Sequence, residues 1–165
     1  MNRPGPLAAD VAGLVELQEV SYARAGAGAH ASWPRERALD AEALRAFLSD
    51  PPFAVLATAR ADGRPQAAPF ALVAHRGALW FALVDGPRLR ALRRLPYASV
   101  VLTEGGPGSH RMLVAEGPVQ LHDPSPELQA LWRARLDDDA AWAGAFAELR
   151  PERLFSYDGR AQRAR

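Results

Sequence analysis

The sequence predicts a mostly β protein, an antiparallel barrel with peripheral helices, and three observations carry that prediction. From Phe53 onward the apolar residues come in short continuous or alternating runs instead of at helical spacing. The first of these runs are joined by "ADGR" and "RG", turns short enough to require antiparallel neighbours. The stretches with helical spacing lie before these strands or between the later ones, where they cover the sheet and do not interrupt it.

The elements follow in order. "PLAADVAGLVELQEVSYARA" places Leu14, Leu17 and Tyr22 at helical spacing, and the small, Gly-rich "AGAGAHASWP" after it reads as a linker. A second helix is expected from Asp40 to Leu48, where Leu39, Ala43, Leu44 and Phe47 make one apolar stripe before "SDPP" stops it. "FAVLATAR", "PQAAPFALVAH" and "ALWFALV" are the first three strands. "ASVVLT" is the fourth, "EGGPGSH" a loop, and "RMLVAEGPVQLH" the fifth, with a Gly-Pro interruption suited to a bulge or an edge. "SPELQALWRARLDDDAAWAGAFAEL" is helical in pattern with a break near the aspartates, and "RLFSYDG" is the last strand. The expected organisation is an N-terminal helical extension and linker over residues 1–40 and one barrel domain over 41–165.

Composition excludes several functions. The chain has no cysteine, which removes disulfides, thiolate metal sites and thiol nucleophiles together. A formal net charge of +1 is too balanced for a dedicated nucleic-acid binder, so any anion site must be local. No apolar run reaches the ~18 residues of a membrane span. Asp10 and Glu16 interrupt the N-terminal apolar residues, so no signal peptide is read and a cytoplasmic location is expected.

The densest chemistry is in "FALVDGPRLRALRRLP". Gly86 suits an N-cap and Pro87 the first helical position, with Leu89 and Leu92 facing inward. Arg88 and Arg90 then flank a helix start, where exposed N–H groups and the helix dipole favour an anion and disfavour a bare cation by ~0.3–1 kcal/mol. By itself the segment fits a phosphate site or a solvated basic face, and Asp85 is placed to cap the same N–H groups.

Around that segment, "LAT", "DGRP", a Pro four residues on, an aromatic strand, "LRRLP" and "AEGPVQL" make a run from Phe53 to Leu121. This run resembles the pyridoxamine 5'-phosphate oxidase-like FMN-binding split-barrel family. The resemblance implies a six-stranded antiparallel Greek-key split β-barrel and a homodimer. It further implies FMN, or the deazaflavin coenzyme F(420) in some branches, in a cleft between the chains. On that resemblance Arg88 and Arg90 hold the flavin phosphate, and the backbone around Gln66, Ala68, Pro69 and Phe70 lines the ring. Leu83 and Val84 stand where the family often has Ser or Thr, and His110 and Met112 where related proteins bring aromatics across the dimer. "PERLFSYDGRAQR" resembles the C-terminal segment of true oxidases, with Tyr157 and Arg163 on the flavin-approaching positions. The His those oxidases carry just beyond that Arg is missing, so pyridoxamine 5'-phosphate is expected to be a poor substrate.

The resemblance implies hydride transfer between the flavin and a small organic substrate. A deazaflavin-dependent reductase, or a non-catalytic protein carrying flavin or haem, is the alternative. No residue has the look of a dedicated acid or base, and none is assigned as catalytic. His30, His75, His110 and His122 lack metal-ligand spacing, and Asp137 to Asp139 read as a solvated acidic triplet. Trp80, on the third strand, is the tryptophan expected nearest a flavin.

Overall fold

The computed structural model describes residues 6–50 and 53–162 of the chain. Within them eight strands form one curled antiparallel sheet: β1 (Ala54–Ala59), β2 (Pro65–Phe70), β3 (Val73–His75), β4 (Ala78–Leu83), β5 (Tyr97–Glu104), β6 (Arg111–His122), β7 (Ala145–Leu149) and β8 (Arg153–Asp158). Their order is β2-β1-β5-β6-β7-β4-β3, with β8 beside β6. β2 and β3 are consecutive in the chain yet end opposite sides of that order, so Ala71 and Leu72 carry the backbone across and curl the sheet toward closure. This is the mostly β, split-barrel architecture that the sequence predicts.

Eight strands stand where six are expected, for two reasons. The second expected strand divides at Ala71–Leu72, where the chain leaves β1 to pair with β4. The expected helix after Ser125 stops early: α5 spans Pro126–Leu136, and Asp137 takes the left-handed conformation at φ 55°. Ala145–Leu149, counted as helical in the sequence, pairs as β7 between β4 and β6 with every residue buried. A five-residue apolar run is ambiguous by periodicity alone, and burial between two strands decides it here.

Turn chemistry fixes the two tight hairpins. Arg76 and Gly77 both have positive φ, 49° and 74°, the requirement of the two-residue hairpin turn whose twist matches the flanking strands. In the β1–β2 turn, Arg60 N–H donates to the Arg64 carbonyl at 2.8 Å and Gly63 supplies the positive φ of 81°. The Gly-Pro interruption in β6 is also functional to the fold. β7 and β8 run one after the other along the same edge of β6, and they part opposite Gly117 and Pro118. A Cβ on Gly117 would lie 2.2 Å from the Arg150 carbonyl oxygen, so this crossing requires glycine.

The main core fills the curl with Leu56, Phe81, Val100, Leu102, Leu113 and Leu149. Two N-terminal helices close it: α1 (Pro6–Ala23) through Val11 and Leu14, and α3 (Ala41–Ser49) through Leu44 and Phe47. Between them lies the short α2 (Ala27–Ser32). The expected extension thus shares the barrel core. Its polar contacts are also buried: Gln18 Nε2 donates to the Leu39 carbonyl at 2.8 Å, Leu39 N–H to Ser156 Oγ at 2.9 Å, and Tyr22 Oη to the Ser156 carbonyl at 2.7 Å. α3 begins as expected, with the Asp40 carboxylate accepting from Ala43 N–H at 2.8 Å. It ends at Ser49; the prolines at 51 and 52 lie outside the described residues. A second, smaller cluster of Trp80, Phe146 and Trp132 packs α5 against the outside of β4 and β7.

Candidate functional site

The arginine segment is a helix, α4 (Pro87–Arg94), beginning at Gly86 with Pro87 in its first turn. Leu89 and Leu92 are fully buried against the barrel and fix its rotation. With ~100° between successive residues, that rotation sends Arg88 to one flank and Arg93 to the other, with Arg90 and Arg94 outward and one turn apart. Arg93 faces the Asp85 carboxylate at 4.0 Å. Asp85 does not cap the helix: among the described residues no side chain accepts from its first turn. The N–H groups of Arg88 and Leu89 therefore have no intrahelical acceptor and point out of the helix start.

Arg88, Arg90 and Arg94 form one wall of an open groove of about 590 Å³, and Arg60 and Gln66 form the facing wall. Among the described residues no carboxylate lines it. Arg60 is presented by the β1–β2 turn, which Asp62 stiffens by accepting from Arg64 N–H at 3.0 Å and Nε at 2.8 Å. Those two bonds hold the Asp62 carboxyl below the usual carboxylate range. Gln66 is oriented by donating to the buried Thr58 hydroxyl at 3.0 Å. Arg88 reaches furthest inward. Its Nη2 donates to the Ala67 carbonyl at 3.4 Å, its guanidinium sits 5.4 Å from the Phe70 ring centroid, and its buried Nε has no hydrogen-bond partner among the described residues. A buried N–H left unpaired costs ~1–3 kcal/mol, so this atom marks a place where an acceptor is missing.

A second groove, of about 390 Å³, is lined by Pro69 and Phe70 together with Phe53, Trp132 and Trp142, and its Phe70 is the ring beneath Arg88. The two grooves run along β2, which pairs on one side only. The Arg60–Arg64 bond sets the alternation on that strand: Gln66, Ala68 and Phe70 bond to β1, while residues 65, 67 and 69 turn their backbone to the open edge. Two of those three are proline. The open edge therefore presents a single N–H, that of Ala67, among carbonyl oxygens, which blunts strand pairing and leaves one donor for a ligand.

The structure brings Arg88, Arg90, Gln66, Ala68, Pro69 and Phe70 together on this strip. Leu83 is buried in the core, so only its backbone is near the start of α4; Val84 is 57% exposed just before the helix. His110, Met112 and Tyr157 gather elsewhere, at the start of β6 and on β8, where the His110 and Tyr157 rings stack at 5.3 Å and Tyr157 Oη accepts from Arg37 at 3.3 Å. They line neither groove within one chain. Arg163 lies outside the described residues. Trp80, expected nearest a flavin, instead packs under α5 and donates to the His75 carbonyl at 3.3 Å, because β4 turns it to the outer face. Sequence reasoning missed Arg60, whose only signal is its place in a tight turn. It assigned no role to Arg94, although i, i+4 spacing from Arg90 puts both on one face.

Comparison with protein-family models gives a match to the pyridoxamine 5'-phosphate oxidase family over residues 40–161. The chain belongs to that family. Among solved structures, the fold of this family member is similar to that of the conserved hypothetical protein Rv2991 from Mycobacterium tuberculosis. The TM-score is 0.69 at 18% identity, over 81% of this chain and 93% of that one. It is also similar to a FAD-binding protein from Mesorhizobium loti, TM-score 0.59 at 21% identity, over 73% and 93%. An F420 reductase gives a TM-score of 0.56 at 22% identity, over 66% and 93%. These identities support the shared fold alone. Comparison with curated protein sequences gives no match.

Proposed function

We propose that this chain is a flavin-binding oxidoreductase that holds FMN by its phosphate in the arginine groove and by its ring along the open edge of β2. The observation that carries the reading is the placement of Arg88: it lines the groove of four arginines beside an uncapped helix start, and its guanidinium sits over Phe70, which lines the apolar slot. From Gln66 to Phe70 the strip runs about 13 Å. The residues present fit the group. The orphaned Arg88 Nε and the N–H groups of Arg88 and Leu89 supply donors for a phosphate, with Arg90 adding charge. The Ala67 N–H supplies one donor for a ring heteroatom, and Pro69, Phe70 and Trp142 supply apolar surface.

When bound, the flavin supplies reversible electron and hydride transfer; the protein positions it and excludes water. Phe53 and Trp142 are 73% and 52% exposed at the rim of the apolar slot, a cost a monomer carries unless a second chain covers them. The reading therefore includes a homodimer whose partner chain completes the ring-binding side. It also includes a small organic redox substrate entering at that seam.

The deazaflavin coenzyme F(420) fits the same phosphate clamp. Loading the purified protein with FMN or with the deazaflavin, and recording blue or near-ultraviolet absorbance of the retained cofactor, distinguishes the two. Bleaching of the bound flavin by a nicotinamide donor is the result expected of an oxidoreductase. Tight binding with no reduction by any donor tested would move the protein to the carrier reading, which the absence of hydroxyls at Leu83 and Val84 favours.

A further inference from the structure

A third cavity, of about 660 Å³, lies between α5 and the outer face of the sheet and shares no lining residue with the two grooves on β2. Its size falls within the ~300–1,000 Å³ of small-molecule sites. Leu121, Leu128 and Leu131 give it apolar walls, Trp80 closes one side, and His122 lies against that indole with ring centroids 5.1 Å apart. Behind His122 is a buried carboxylate. The Glu148 side chain is only 7% exposed, accepts at Oε1 from Arg150 Nε at 2.8 Å, and meets His122 Nε2 through Oε2, also at 2.8 Å.

That arrangement sets the tautomer of the neutral ring. Arg150 compensates the Glu148 charge, the carboxylate accepts at both oxygens, and the imidazole proton resides on Nε2. Nδ1 is left with a lone pair. It has no hydrogen-bond partner among the described residues, and His122 lines the cavity. An ion pair serving only to tie β6 to β7 requires neither an open acceptor nor a cavity beside it. Asp123, Glu127 and Glu148 among the lining residues outnumber Arg76 and Arg150, so the cavity does not select an anion.

The geometry points to a second small-molecule site, one that takes a neutral aromatic hydroxyl compound. The flat ring lies against Trp80 and the α5 leucines, and its O–H donates to His122 Nδ1. Glu148 and Arg150 are positioning residues: they hold the imidazole so that Nδ1 faces the ligand. No bond to the ligand is made or broken. The site does not depend on the flavin reading, since none of its residues touches either groove.

Isothermal titration of the full-length protein with 2-naphthol, 2-methoxynaphthalene and 2-naphthoate tests this. 2-Naphthol is expected to bind about tenfold or more tightly than its methyl ether, which has no proton to give, and than the carboxylate. His122→Phe is expected to bring 2-naphthol down to the level of the ether. Because that variant also disturbs the Glu148 pair, Leu128→Trp, which fills the cavity from α5 and leaves the pair intact, is the second arm. It is expected to abolish binding with the thermal midpoint held. Equal affinities for 2-naphthol and its ether, no binding of 2-naphthol, or binding undiminished by Leu128→Trp would each overturn the proposal.

Discussion

Replacing Arg88 by alanine separates binding from folding. In the cofactor complex the substitution removes a charge-assisted hydrogen bond to phosphate, typically ~1.5–3 kcal/mol, which predicts FMN affinity weaker by about one to two powers of ten. Without cofactor the terms nearly cancel. The variant loses the 3.4 Å bond to the Ala67 carbonyl and the contact with the Phe70 ring, the latter worth ~0.5–1 kcal/mol. It also relieves a buried unpaired Nε and a cation beside a helix start, ~1–3 and ~0.3–1 kcal/mol respectively. Apo stability is therefore expected within ~1 kcal/mol of the parent or slightly above it. Arg93→Ala is the control, because Arg93 lies on the far flank of α4 against Asp85. Arg94 does not serve, since it lines the groove. Fluorescence quenching on FMN addition reads affinity, and urea denaturation without FMN reads stability. Equal FMN affinity for Arg88→Ala and Arg93→Ala would refute the clamp, and a large loss of apo stability in Arg88→Ala would refute the cancellation.

Three further outcomes follow from the geometry. The protein is expected to be dimeric at micromolar concentration by light scattering, and Phe53→Asp with Trp142→Asp is expected to shift it toward monomer; a monodisperse parent monomer contradicts the seam. Gly117→Ala, which forces a Cβ to within 2.2 Å of the Arg150 carbonyl oxygen, is expected to cost ~2 kcal/mol or more in urea denaturation, and an unchanged midpoint contradicts the crossing. Burial raises the Tyr22 hydroxyl above its ordinary value of 10.0, so its contribution is complete below that value and is lost as pH rises through the folded value. The stability advantage of the parent over Tyr22→Phe is thus expected to be present at about pH 8 and to shrink by about pH 11; an advantage that grows with pH contradicts the Tyr22–Ser156 contact.

How much was legible follows from the range of each signal. Local signals held: the Arg76–Gly77 turn, the Asp40 cap, the Gly86–Pro87 helix start and the Gly-Pro break in β6 depend on neighbours in sequence. Ala145–Leu149 was misread because its state is set by β4 and β6, both more than twenty residues away. The same reason hid Arg60 and Arg94. Nothing local says that a turn after β1 faces α4, and the rotation of α4 is fixed by Leu89 and Leu92 meeting a core assembled from the whole chain. Trp80 shows the converse: an aromatic on an apolar strand buried on both faces has no alternation to reveal which face it takes.

The most direct test of the central claim compares FMN with riboflavin, which differs only in lacking the phosphate. Titrated into the purified protein, FMN is expected to bind one equivalent per chain, with quenched fluorescence, and riboflavin is expected to bind about a hundredfold more weakly, since it leaves the arginines and the start of α4 without their anion. Equal affinity for the two, or no binding of FMN at all, would contradict the account.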